Sequence, residues 1–143
     1  MNIRRLRLIS AFPVVLTTFF CACTYYHVYP GALEPSRAQV TPDQRVEVWQ
    51  EAVGVLLDQG YVPQVLNERA CFISARHRED FENDPLAQTF ALVHISPDGV
   101  VRVELTGVGY FSSQDAFITA IRERQHVIFD LIMKHAAGLS SSR

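Results

Sequence analysis

The chain has 143 residues, 48% of them hydrophobic, which suits one domain with a packed core. Its formal charge of −2 conceals an asymmetry: Arg4, Arg5 and Arg7 are three of the 13 basic residues, and beyond residue 22 the remaining ten meet all 15 acids, a net of −5. A region that acidic lacks the basic face that nucleic-acid binding needs, and no polybasic run is present to grip anionic lipid by charge alone.

Residues 2–7 read Asn-Ile-Arg-Arg-Leu-Arg, and Leu8 to Phe20 is then largely apolar and uncharged. That order of a cationic start and an apolar run is the pattern of a secretory signal. Thirteen residues are too few to cross a bilayer core of about 30 Å, and Pro13 interrupts them. Leu6-Arg7-Leu8 does not complete a twin-arginine signal after Arg4-Arg5, so the general secretory route is expected. Residues 1–22 are predicted to be a signal peptide.

The run ends in Phe20-Cys21-Ala22-Cys23. This resembles the lipobox of bacterial lipoprotein precursors, in which a small residue precedes the cysteine that receives a diacylglyceryl group before cleavage. The resemblance implies cleavage between Ala22 and Cys23 and lipidation of Cys23, with Phe20 standing where the family usually has Leu. Cys21 does not suit the role, because Phe20 before it is not small. A lipoprotein cysteine usually carries three acyl chains, and two or more give stable attachment. Thr24, in place of the Asp that retains such proteins in the inner membrane, points to the periplasmic face of the outer membrane. Cys71 is then the one unassigned thiol, suited to pairing with a partner chain or to burial as a small hydrophobe.

Residues 24–40 contain Pro30, Gly31, Pro35 and Ser36 without a sustained period, and with Cys23 they read as a lipidated tether. Tyr25, Tyr26 and Tyr29 within it suit either the lipid interface or the domain surface. Thr41-Pro42-Asp43-Gln44 predicts a helix start with a capping box, and Gly60 a helix end, so a helix is expected over 42–59. Val46, Trp49, Val53, Leu56 and Leu57 form its apolar stripe.

Strands are predicted at Tyr61 to Leu66, with Pro63 indicating an edge, and at Cys71 to Arg76. Thr89 to Ser96 and Val100 to Gly107 form a hairpin across Pro97-Asp98-Gly99. In its second strand Val101, Val103 and Leu105 alternate with Arg102, Glu104 and Thr106, so the latter three are expected to face water. Gly107 and Gly109 are expected to bend the chain before a second helix. That helix runs from near Ser112 to about 136 with Phe117, Ile121, Ile128, Leu131 and Ile132 on one side. Residues 138–143 read as a tail.

The expected fold is α+β: an antiparallel sheet of about four strands, with two amphipathic helices packed on one face, in helix–strands–helix order. The expected domain spans 41–137.

No convergent catalytic or metal-binding pattern emerges. His27, His77, His94, His126 and His135 include no pair at the spacing of helical zinc ligands, no cofactor motif is present, and nothing around Cys71 marks a nucleophile. The charged loop at 76–84 is either a solvated loop or a partner-docking loop, with Phe81 as an apolar anchor flanked by Arg76 and Arg78. The run from Val46 to Arg76, a helix ending in Gly60-Tyr61, a strand, a polar turn and a second strand with Phe72-Ile73-Ser74, resembles the helix-grip domains of the NlpB/BamC-type lipoproteins of the outer-membrane protein assembly machine. That resemblance implies a scaffold or accessory role beside another envelope protein. A small-ligand or lipid-binding role, or an envelope enzyme, are the alternatives.

Overall fold

Helix formation follows the local signals with one change at each end. In a computed structural model, which describes residues 24–78, 86 and 88–141, Pro42–Gln44 form a 3-10 turn that leads into helix α1, Arg45–Asp58. The Thr41 hydroxyl donates to the Gln44 side chain at 2.9 Å instead of capping a backbone N–H. Gly60 ends α1 with φ +83°, a left-handed conformation that suits glycine. The buried face of α1 is Val48, Trp49, Ala52, Val55 and Leu56, whereas Val46 and Leu57, expected in the stripe, are exposed. Helix α2, Gln114–Ser141, starts where the Ser113 hydroxyl accepts from Ala116 N–H at 3.2 Å. It buries Phe117, Ile121, Ile128 and Ile132 and continues past Gly138 through most of the expected tail.

The sheet corrects the expected four strands in helix–strands–helix order. It has six antiparallel strands, two of them before α1: β1 Thr24–Val28, β2 Ser36–Gln39, β3 Tyr61–Asn67, β4 Phe72–His77, β5 Gln88–Ile95 and β6 Val100–Phe111. The order is β1-β6-β5-β4-β3, with β2 also paired to β6. The two additional strands lie in the stretch read as a tether. They are short and flanked by Pro30, Gly31 and Pro35, so no alternation long enough to read develops; they form by pairing with a ready-made edge. The α+β class stands, β3 with Pro63 sits at the sheet edge, and α1 and α2 lie on one face. Cys71 precedes β4 instead of starting it, buried with φ +46°.

β6 is longer than expected because it does not end at Gly107. At φ +134°, with Gln88 O only 2.3 Å from where a Cβ would stand, Gly107 lets the strand pass close against β5 and continue to Phe111.

One edge of β6 carries both early strands. Its 107–111 stretch pairs with β1 and its 100–103 stretch with β2, which leaves 104–106 opposite a connection at 29–35 that forms no ladder. Gln125 of α2, 1% exposed, fills the gap. Its Oε1 accepts from Leu105 N–H at 3.0 Å, and its Nε2 donates to Glu34 O at 3.1 Å and Ser36 Oγ at 3.3 Å. A helix side chain thus replaces a missing rung, as a buried backbone donor requires.

Candidate functional site: the open face of the sheet

Because strand residues alternate between faces, Val101, Val103 and Leu105 under the helices leave 100, 102, 104, 106, 108 and 110 of β6 on the opposite face. No helix covers that face among the described residues. The ladder registers arrange its side chains in rows.

One row crosses four strands. Arg37 of β2 is opposite Arg102 of β6, which is opposite His94 of β5, which is opposite Phe72 of β4. The next row places Glu104 opposite Leu92. Phe72, Leu92, His94, Arg102 and Glu104 line a hollow of about 330 Å³. A second, of about 200 Å³, is lined by Arg37, His94, Ser96, Val100 and Arg102. The two share His94 and Arg102 and so form one groove.

Glu104 departs from the expected exposed face: it is 6% exposed, as is Thr106, while Arg102 remains open. The connection at 29–35 explains the burial of Glu104, since Gly31 N–H donates to its carboxylate. Arg102 Nη2 lies 3.4 Å from the other carboxylate oxygen. A buried carboxylate is costly unless paired, and this one has both a backbone donor and a cation. Arg102 is thereby steadied, while Arg37 stands directly opposite it with like charge.

The hairpin at this end is pinned to β2. Gln39 Nε2 donates to Asp98 O, and the Ser96 hydroxyl donates to the Asp98 carboxylate. That hydrogen bond is the main reason the Asp98 carboxyl lies below its ordinary range, followed by its own backbone N–H; Arg45 adds a smaller pull.

The other end of the face is aromatic. Tyr26 and Phe111 ring against Phe117 of α2, so Tyr25, His27 and Tyr110 point the opposite way. Tyr25 and Tyr110 pack at 4.7 Å between ring centres, Tyr25 and His27 at 4.9 Å, and His27 stacks on Tyr29 at 5.8 Å. Tyr25 is 41%, Tyr110 58% and Tyr29 68% exposed. Tyr25 OH is tied to Gln88 Oε1 at 2.9 Å.

Of the residues singled out from sequence, Ala22, Cys23 and Phe81 lie outside the described residues. Arg76 and Arg78 come together at the far margin, where with Val62, Gln64 and His77 they line a hollow of about 340 Å³. Cys71 is fully buried, its Sγ 3.3 Å from Glu68 O, with no histidine among its hydrogen-bond partners. Among the described residues no three His, Cys, Asp or Glu side chains are grouped to hold a metal ion, and no helix is long and apolar enough to cross a membrane.

The groove residues Arg37, Phe72, Leu92 and His94 were not singled out from sequence. For His94 and Leu92 a signal existed: the hairpin turn sets them opposite Arg102 and Glu104. For Arg37 none did, because β2 was not legible. No protein-family model matches the chain, and no curated protein matches it.

Proposed function

We propose that this chain is an exported lipoprotein, cleaved after Ala22, acylated at Cys23 and held at the periplasmic face of the outer membrane. There its small domain serves as a noncatalytic accessory to another envelope protein. The observation that carries the reading is where the exposed aromatic rings lie. Tyr25 and Tyr110 lie at the end of the sheet where β1 begins, with Thr24 paired to Phe111, and His27 and Tyr29 continue the row of rings inward along β1 and just past it. Tyrosine rings with an apolar body and a polar tip are favoured at the membrane–water interface. The Arg76–Arg78 margin supplies a contact surface away from that end.

Mass spectrometry of the N-terminus from purified membranes tests the anchor. Three acyl chains on Cys23, lost in Cys23→Ser together with membrane retention, are expected; an unmodified N-terminus sinks the proposal. Affinity capture from solubilised membranes tests the accessory role. A stable envelope partner is expected, lost on replacing Arg76 and Arg78 by Glu, and repeated empty captures count against it.

A further inference from the structure

The groove at the far end of the open face has a chemistry that neither the anchor nor the fold uses. Arg37 and Arg102 are directly opposed on the same face of an antiparallel pair, an arrangement that costs stability through like-charge repulsion. It stands out in a region whose overall charge beyond residue 22 is negative. His94 completes the row, and Phe72 and Leu92 provide an apolar floor beside it.

We propose that this groove is a binding site for a small amphiphilic anion. Its carboxylate or phosphate head bridges Arg37 and Arg102, and its short apolar body lies over Phe72 and Leu92. Three features support this class. An anion between two guanidinium groups converts their repulsion into two charge-assisted hydrogen bonds, the stronger kind. Glu104 takes one side of Arg102 and is itself held by Gly31 N–H, so the guanidinium is positioned before a ligand arrives. The two hollows of about 330 and 200 Å³ join at Arg102 and His94, which places the cationic part and the apolar part end to end. A volume of that order suits a head group with a chain of several carbons, at the small end of ligand sites. A neutral apolar molecule would leave the arginines unanswered. A bare inorganic anion would leave the apolar floor wet. The site does not depend on lipidation of Cys23, so it stands or falls separately from the anchor.

The test uses the full chain in phosphatidylcholine nanodiscs, titrated with hexyl phosphate, hexanoate, hexanol and inorganic phosphate. Leu92 methyl and His94 ring chemical shifts are the readout. Hexyl phosphate and hexanoate are expected to move both signals saturably, and whichever binds tighter identifies the head group. Hexanol and inorganic phosphate are expected to bind at least about tenfold more weakly. Arg37→Gln, on an exposed position, is expected to weaken the anions about tenfold without lowering the melting temperature. Phe72→Ser weakens hexyl phosphate but not inorganic phosphate, and Tyr110→Ser, at the other end, changes neither. Non-saturable shifts, equal response to hexanol, or binding unchanged in Arg37→Gln would overturn the site.

Discussion

The two ends of the open face share one strand, β6, and carry opposite chemistry. At the 107–111 end the partner strand β1 contributes Tyr25 and His27 beside Tyr110, and the face is aromatic. At the 100–103 end the partner strand β2 contributes Arg37 beside Arg102, and the face becomes cationic. The difference begins in β6, which carries Arg102 at one end and Tyr110 at the other. It is reinforced by two short edge strands, joined by the connection at 29–35 and fixed in place where Gln125 bridges the gap between them. A single long strand can thus present two surfaces when its edge is shared.

The largest expected effect comes from uncoupling the two ends. Gln125→Leu leaves the buried Leu105 N–H without this partner and removes the bonds to Glu34 O and Ser36 Oγ, and a loss of about 2–4 kcal/mol is expected in chemical denaturation. Amide exchange should show 24–28 and 36–39 opening before β4 and β5; uniform loss would break the idea that the bridge is local. Next is Gly107→Ala, where the new Cβ meets Gln88 O, with an expected loss of about 2 kcal/mol centred on the aromatic end. Arg37→Gln has the opposite sign. Relief of the Arg37–Arg102 repulsion is expected to stabilise the ligand-free protein by about 0.2–1 kcal/mol, read as a rise in melting temperature, and a fall would contradict the crowded-cation picture. The smallest effect is at Asp98. Its carboxyl is depressed in the fold, so its contribution is present above the unfolded carboxylate pKa and fades as pH falls through the folded value. Faster exchange of Gly99 N–H in acid, absent in Asp98→Asn, is the expected sign.

Much of the scaffold was legible because it repeats. The hairpin around Pro97-Asp98-Gly99 places His94 opposite Arg102 from the turn alone, and both helices announce themselves by periodic apolar residues. Three features were hidden for physical reasons. β1 and β2 are too short, and too close to prolines, to show alternation; only an edge supplied by β6 makes them strands. The buried stripe of α1 is turned from Val46 and Leu57 toward Val48, Ala52 and Val55, because several nearly equivalent apolar rows exist and packing against the sheet selects one. Glu104 reads as a solvent-facing charge until a connection distant in sequence brings Gly31 N–H onto it.

The position of β1 has a consequence for distance. A flexible stretch of 17 residues would let an anchored domain wander roughly 20–25 Å from its attachment, and reach nearly 60 Å at full stretch. With the ladder beginning at Thr24, an anchor at Cys23 leaves no such leash. On the proposed anchor, the domain would sit directly against the bilayer at the end where β1 begins. From Phe111 back to Arg102, β6 rises roughly 30 Å at about 3.3 Å per residue. On that proposal the cationic groove would be held at one height above the lipid, and whatever it meets would have to be presented there.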